Sequence, residues 1–473
     1  MKRKFIVAII LIAFIVPNII ANDKNNDNNI LSPDEVTVVV HIKRIRSINL
    51  QNNTVYFKIL INGENSLWWQ QSYKGMDISF EWPMAAKTVK YEKGKIIPIQ
   101  IELWKKGIID EPCDLSKGKS KYLGGKVVNI FYNLTTGEWY GDDWFKDGNG
   151  YGHCSGLEDG NYNENDYEIW FDIYEWDGDG DRLTYWDKMK YGLNPNKDYS
   201  NIDLDGDGIP CDWEDKYGYN PIEAEEHEKL DEDEDGLNNI EEWKTSQWLS
   251  DPFAKDIFIE VDFMKAKHVW QKDYRLPEKS QQMICDAFAK HNITLHFDDG
   301  SMGGGGDLLP FDDEMEGDEL MAARFKYFLN GDPHYWRKGI FRYAIICCQI
   351  KWYYRPAGGR MFCLDSFVIG EQYVRNWLPF LKLQGTDYYT AMASVFMHEL
   401  GHILGLFNFE GIDNENTRFP WQEDYWKYGN YKSCMNYRYV FKIVDYSDGS
   451  HGENDYDDWG HLDLRRFDEE WWR

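Results

Sequence analysis

Three acidic stretches in the middle of the chain share one spacing. They begin at Asp177, Asp203 and Asp231, and each places carboxylates at loop positions one, three and five, with an apolar residue at position seven. Carboxylates packed this closely repel one another, so such a segment either surrounds hard cations or forms a solvated acidic surface. The repetition favours cation binding, and it divides the chain into a region before the repeat and a region after it.

Position twelve distinguishes the three loops. The second and third loops have Glu214 and Glu242 there, and each can give two oxygens to a cation, while Gly208 and Gly236 at position six permit a sharp bend. The stretches resemble the calcium loops of EF-hand, dockerin and thrombospondin type 3 repeats. The resemblance implies structural Ca²⁺ and the following ligands: Asp177, Asp179 and Asp181 in the first loop, Asp203, Asp205, Asp207 and Glu214 in the second, and Asp231, Asp233, Asp235 and Glu242 in the third.

The first loop departs from this pattern. Arg182 replaces the Gly at position six, and Lys188 lies where the Glu is expected. The sequence therefore predicts a weaker site there, or one that uses Asp187 instead. We assign residues 146–252 to a calcium-binding repeat region that holds the two flanking domains rigidly.

The chain before the repeat predicts an exported β protein. Residues 1–21 combine a basic start with a short apolar run, which indicates a signal peptide, with retention as a membrane anchor as the alternative. Residues 22–34 are rich in Asn and Asp and predict a flexible leader. Across 35–145, β-branched and aromatic runs separated by Gly, Asn, Lys and Pro predict an antiparallel β-sandwich. We expect a secreted or cell-surface protein whose first domain binds a ligand or acts as a spacer.

The chain after the repeat, residues 253–473, predicts an α/β domain that ends in a catalytic helix. His398 and His402 are four residues apart, so their imidazoles project from one helical face and can meet at one metal ion. Glu399 lies beside the first histidine, where its carboxylate can accept a proton from water activated by that metal. The spacing predicts a hydrolytic zinc site, although a surface helix can carry HExxH for other reasons.

Two further features extend the motif. Gly405 follows His402 by three residues and allows the helix to end abruptly, and Ser433 to Tyr437 has the form S-x-M-x-Y. Together these residues resemble the metzincin family of zinc endopeptidases, in the part of the chain from 398 to 437.

The resemblance implies roles for five residues. His398 and His402 would bind zinc, Glu399 would be the catalytic base, and Met435 would lie beneath the metal as an apolar floor in a Met-turn. Tyr437 matches a tyrosine that binds zinc or stabilises the reaction oxyanion in some branches, and ordinary packing is its alternative role.

The third zinc ligand departs from the family pattern. That ligand is usually His or Asp ten residues after the first, and here the position holds Asn408, whose neutral amide is a poor zinc ligand. Either Asn408 binds the zinc weakly or a neighbour replaces it: Glu410, Asp413 and His451 are possible substitutes, and Asp413 and His451 are preferred.

The formal net charge of −29 opposes nucleic-acid binding, which depends on cationic contacts with phosphate. No stretch after the signal predicts a membrane span. We therefore expect a secreted zinc-dependent endopeptidase that hydrolyses extracellular polypeptide substrates by metal-activated water, with Glu399 as general base. The alternative is a noncatalytic calcium-binding cell-surface or adhesion protein with a degenerate peptidase fold.

Overall fold

The computed structural model describes residues 35–48, 51–117, 126–144, 150–161, 165–176, 181–352 and 355–466. The predicted signal peptide and leader, and Asp177 and Asp179 of the first acidic loop, lie outside these residues. Among the helices of the described ranges, none is long and apolar enough to cross a membrane.

Two antiparallel sheets share one apolar core in the N-terminal part. Apolar side chains of Glu35–Ser47 in one sheet and of Thr54–Ile61 in the other are buried in the same cluster, as the alternating pattern predicted. The first sheet contains Glu35–Ser47, Asp77–Ser79, Ala85–Lys90, Gly152–Ser155 and Tyr167–Trp176. The second contains Thr54–Ile61, Glu64–Asn65, Tyr73–Lys74, Ile96–Lys105, Glu111–Pro112, Val128–Asn133 and Trp139–Gly141. The predicted antiparallel sheets are confirmed.

The first sheet continues beyond the boundary predicted at residue 145. Its strand Tyr167–Trp176 pairs along the whole length from Thr37 to Ser47. This strand was not predicted, because its acidic residues are typical of an exposed segment. Glu168, however, is buried in an ion pair with Arg46. The sheet therefore ends at Trp176, and the acidic loops begin directly after it.

Short helices follow the acidic loops. They are Tyr185–Lys190, Cys211–Tyr217 and Asn239–Thr245, with the 3₁₀ turns His227–Lys229 and Ser246–Trp248. The third loop is part of the C-terminal core, since Leu237 is buried in the same apolar cluster as Phe258 and Phe341. In addition, the backbone N–H of Asp256 donates to Asp235 Oδ2 at 2.7 Å. The third loop is therefore fixed to the first strand of the domain that follows it.

The C-terminal part is a mixed α/β unit. Its main sheet has the order Thr294–Asp298, Asp256–Met264, Phe341–Cys347, Ser366–Gly370 and Gly359–Cys363, with Leu308–Leu309 beside the second of these. Neighbouring strands are parallel except for Gly359–Cys363, which is antiparallel and lies at the edge. The helices are Glu278–Ala289, Gly317–Ala323, Glu371–Leu383, Tyr388–Ile403 and Asp424–Lys427.

Smaller elements complete this unit. They are the π-helical turn Arg324–Phe328, the hairpin Ile350–Trp352 with Arg355–Ala357, and the 3₁₀ turns Glu415–Thr417 and Trp459–His461. A further 3₁₀ turn, Gly156–Asp159, belongs to the N-terminal part. Helix Tyr388–Ile403 packs against the sheet and against helices Glu278–Ala289 and Glu371–Leu383. Its C-terminal half, which carries His398, Glu399 and His402, is buried within this core.

Candidate metal centre and acidic loops

Helix Tyr388–Ile403 carries the predicted catalytic residues. Asp387 caps its N-terminus, where its side chain accepts from the backbone N–H of Thr390, and nearly every later residue is buried. The chain turns away at Gly405, whose φ of +93° is a left-handed conformation that other residues rarely adopt. The sequence therefore predicted correctly where this helix ends, and the turn directs the following loop back across the two histidines.

Three side chains converge at the end of this helix. His398 Nε2 lies 3.0 Å from Asp413 Oδ1, and His402 Nε2 lies 3.2 Å from Asp413 Oδ2. Potential ligand atoms of all three residues lie within 4.8 Å of one another. Two imidazole nitrogens and a carboxylate are a donor set that suits zinc, so these residues fit the metal that the motif implies.

The remaining ring nitrogens orient both imidazoles. His398 Nδ1 lies 2.8 Å from the carbonyl oxygen of Cys434, and His402 Nδ1 lies 2.9 Å from that of Leu406. A carbonyl oxygen only accepts, so each Nδ1 carries a proton and each Nε2 lone pair is available to a cation. Such outer contacts fix the orientation of metal-binding histidines.

The site attracts positive charge. Burial alone would lower the pKa of His398, but the hydrogen bond and negative charge of Asp413 raise it to about 9. Burial also opposes ionisation of Asp413, yet the two histidines hold the pKa of this carboxyl well below its usual range. Positive charge is therefore favoured beside His398 Nε2, which is the position that a cation would take.

Asp413 is held in place by its backbone. Its N–H donates to the carbonyl oxygen of Met435 at 3.3 Å, and its φ of +54° is one that Asp and Asn tolerate better than most residues. Met435 is fully buried and packs against the helix at Gly401. The turn at Met435 thus contacts the helix and, through its backbone, holds Asp413 opposite it.

Tyr437 borders the same site. Its ring stacks on His398 with centroids 5.7 Å apart, and its hydroxyl is hydrogen-bonded to Asp413. The guanidinium of Arg418 lies 4.3 Å from the centre of the Tyr437 ring. Arg418 was not identified from the sequence, because it belongs to no motif and is linked to the site only by its contact with the ring of Tyr437.

Glu399 points toward the edge strand. Burial raises the pKa of its carboxyl, which accepts a hydrogen bond from the backbone N–H of Met361. A Cβ atom added at Gly359 would lie 2.5 Å from Glu399 Oε1, so only glycine permits this approach. Gly359 was also missed in the sequence, where it is one glycine among 40.

The other candidates for the third ligand lie elsewhere. Asn408 is exposed on the loop after Phe407, whose ring stacks on His402. Glu410 accepts from Tyr428 at 2.7 Å and pairs with Lys427, and His451 pairs with Asp455 at 2.9 Å. Asp413 is therefore the candidate that the fold brings to the two histidines, in place of Asn408.

The second acidic loop brings four carboxylates close together. Asp203, Asp205 and Asp207 have oxygens within 4.8 Å of one another. Glu214 is fully buried, and among the described residues neither of its carboxylate oxygens has a hydrogen-bond partner. Burial and the charges of Asp205 and Asp207 raise the pKa of Glu214 to about 9, so a positive charge bound here would be stabilising.

The third loop is similar and more deeply buried. Asp231, Asp233 and Asp235 cluster in the same way, and Asp235 is fully buried. Glu242 is also buried, with Oε1 unpartnered, and burial followed by the charge of Asp235 raises its pKa well above the usual range. Both loops therefore fit a hard divalent cation.

The first loop differs in the part that the structure describes. Lys188 and Asp181 are both buried, and Lys188 Nζ lies 2.9 Å from Asp181 Oδ1. Asp187, the suggested substitute ligand, instead caps its own helix through Thr184. An ammonium group thus lies beside Asp181 and supplies a counter-charge to it, and calcium binding by the first loop stays a prediction.

Comparisons with known proteins add no family. No protein-family model and no curated protein matches the chain. One solved structure that is similar over a part comes from work on CC2D1B and its coordination of ESCRT-III activity during mitotic reformation of the nuclear envelope. It has 12% sequence identity and a TM-score of 0.15, and the match covers 31% of this chain and 56% of that chain. A similarity of this size carries no argument about fold or function.

Proposed function

We propose that the protein is a secreted zinc-dependent endopeptidase with a metzincin-like catalytic domain. The observation that carries the proposal is the convergence of His398, His402 and Asp413, with Glu399 next to them on the same helix. A purely structural zinc site needs no carboxylic acid beside its ligands. The buried Glu399 therefore favours catalysis over the noncatalytic alternative.

The residues divide the chemistry between them. Zinc held by His398, His402 and Asp413 would supply a Lewis acid that polarises the scissile carbonyl and lowers the pKa of water. Glu399 accepts the proton from the attacking water and later transfers it to the leaving amine. The hydroxyl of Tyr437, which is hydrogen-bonded to Asp413, would turn from this carboxylate to donate to the oxygen of the carbonyl under attack.

The edge strand Gly359–Cys363 is an argument for a polypeptide substrate. One side pairs with Ser366–Gly370, while the other borders Glu399, which accepts from the N–H of Met361. An extended peptide can add to such an edge through main-chain hydrogen bonds, and this places its backbone beside the general base. Recognition through the backbone suits an endopeptidase that acts on unfolded or extended segments.

Calcium has a structural role in this proposal. Ca²⁺ in the second and third loops would neutralise carboxylates that are buried together. The third loop also contacts the first strand of the α/β unit through Asp235 and Asp256. Calcium would therefore stabilise the catalytic domain as well as the segment before it.

The test separates metal binding from catalysis. Purified protein should bind one equivalent of zinc at this site and hydrolyse a fluorescently quenched, unfolded protein. Glu399→Gln should keep the zinc and lose about 10²–10⁴-fold in kcat, the usual contribution of a general base. His402→Ala should lose both zinc and activity.

The exposed Glu410 provides a matched control, since Glu410→Gln should leave zinc content and activity unchanged. Full activity in Glu399→Gln, or wild-type protein without zinc or hydrolysis, would refute the peptidase proposal and favour a calcium-binding surface protein.

A further inference from the structure

A histidine from outside the second acidic loop points into it. His227 is 1% exposed, and its Nε2 lies 3.2 Å from Asp207 Oδ2 and 3.8 Å from Glu214 Oε1. Potential ligand atoms of these three residues lie within 4.8 Å of one another. Despite these distances, Nε2 makes no hydrogen bond to any of the residues that the structure describes. A buried nitrogen without a partner is unfavourable, and a cation between these groups would satisfy it.

The surroundings hold the imidazole in this direction. The edge of the ring faces Tyr219 with centroids 4.9 Å apart, and Nδ1 lies 3.0 Å from the side-chain amide of Asn239. The atom nearest Nδ1 is the amide nitrogen Nδ2, while the buried amide oxygen of Asn239 has no hydrogen-bond partner among the described residues. Turning this amide over brings its oxygen to Nδ1–H and leaves the Nε2 lone pair for a metal. The backbone N–H of Glu225 donates to Asp207 Oδ2 at 3.0 Å, so the segment that carries His227 is fixed to the loop.

A nitrogen ligand changes which ions such a loop prefers. Ca²⁺ takes oxygen ligands almost exclusively, whereas carboxylates combined with imidazole suit divalent transition-metal ions. The third loop offers an internal comparison, because its cluster of Asp231, Asp233 and Asp235 includes no histidine among the described residues. Two loops with the same carboxylate spacing therefore differ in one donor atom.

We propose that the second acidic loop is a transition-metal site in which His227 Nε2 joins the carboxylates of Asp203, Asp205, Asp207 and Glu214. This inference rests on the proposed binding of cations by the acidic loops and adds both a ligand and a different ion. Asn239 occupies position nine of the third loop and contacts His227, so occupation of one loop is linked to ligand orientation in the other. The two loops thus form a mixed pair, one for Ca²⁺ and one for an ion that accepts nitrogen.

Electron paramagnetic resonance with Mn²⁺ tests this directly. The full chain carries His398→Ala, His402→Ala and His451→Ala, which removes the histidines of the other candidate metal clusters among the described residues. One equivalent of Ca²⁺ is added first, to occupy the third loop, whose cluster of described residues has no nitrogen ligand. Mn²⁺ bound at one equivalent should show the ¹⁴N modulation of a directly coordinated imidazole in electron spin echo spectra. His227→Gln should abolish the modulation and weaken Mn²⁺ binding at least about tenfold, the lower limit for loss of even an outer-shell partner.

Two controls complete the experiment. Glutamine supplies an oxygen, so calcium affinity in His227→Gln should change little. Glu242→Gln, in the third loop, should leave both Mn²⁺ affinity and modulation as they are. If His227→Gln does not fold, the spectrum of the chain with His227 intact still shows whether an imidazole nitrogen binds the Mn²⁺.

Bound Mn²⁺ without ¹⁴N modulation overturns the inference, as does modulation that persists in His227→Gln. Absence of Mn²⁺ binding while Ca²⁺ still binds also overturns it, but leaves the proposed structural role of calcium intact. Zinc-dependent hydrolysis is measured separately, on the chain with His398 and His402 present. Failure of the peptidase proposal can therefore be distinguished from failure of this inference about the second loop.

Discussion

Replacing Asp413 by Asn tests whether this residue completes the zinc site. The substitution keeps the size of the side chain and removes its charge, and Asn tolerates the φ of +54° found at this position. The backbone and the contact with Met435 should therefore be preserved. What changes is the anionic group that lies 3.0 Å from His398 Nε2 and 3.2 Å from His402 Nε2.

The expected magnitude follows from where Asp413 lies. Removing a residue that only orients a ligand lowers metal affinity by roughly 10–100-fold. A residue that touches the metal has at least the upper value, although the 43% exposure of the Asp413 side chain lets solvent screen part of its charge. We therefore expect a loss of at least about 100-fold in zinc affinity, equivalent to about 2.7 kcal/mol.

Competition with a chromophoric chelator measures this affinity. Asn408→Ala, Glu410→Gln and His451→Gln serve as controls and should bind zinc like the wild type, because these side chains are exposed or engaged elsewhere. If Asn408→Ala loses the zinc while Asp413→Asn retains it, the assignment of Asp413 as the third ligand is refuted.

Three other perturbations have defined outcomes. Removal of calcium with a selective chelator should lower the melting temperature and direct proteolysis to residues 198–250, because buried carboxylates lose their counter-charge; unchanged melting would contradict it. Gly359→Ala should displace Glu399, the proposed general base, and reduce kcat by about 100-fold without loss of zinc. Normal kinetics in this variant would contradict a role for the contact between Gly359 and Glu399. Arg46→Ala leaves Glu168 and Asp286 without their buried partner, so urea unfolding should show a loss of about 3–5 kcal/mol. A loss below about 1 kcal/mol would show that this ion pair is dispensable.

Local patterns in the sequence predicted the local parts of the fold. The alternation of apolar residues from 35 onward corresponds to antiparallel strands with a buried face, because side chains of a strand point to opposite sides in turn. The helix that contains His398 and His402, and its end at Gly405, followed from helical spacing and from the left-handed turn that glycine permits. In the same way, the carboxylate spacing predicted the clusters at Asp203 and Asp231.

Charged residues misled the interpretation where the tertiary structure buries them in pairs. Glu168 resembles part of a polar linker, yet it lies in a central strand because Arg46 neutralises it. Asp181 fits the calcium pattern, yet Lys188 from seven residues later supplies its counter-charge. Partners of this kind cannot be read from spacing, since a buried charge is stabilised by whichever opposite charge the fold brings near it.

The sequence by itself determined which chemistry is available: two histidines on one helical face with a glutamate beside the first, the S-x-M-x-Y stretch, and carboxylates at calcium-loop spacing. Only the tertiary structure shows that Asp413, and not Asn408, lies beside the two histidines. The loop after Gly405 returns to the helix five residues later than the metzincin spacing predicts. It also brought His227 to the second loop and Gly359 to Glu399. Helical and loop spacing fix contacts between residues a few positions apart, whereas these contacts depend on how separate segments pack, and packing is decided by the whole core.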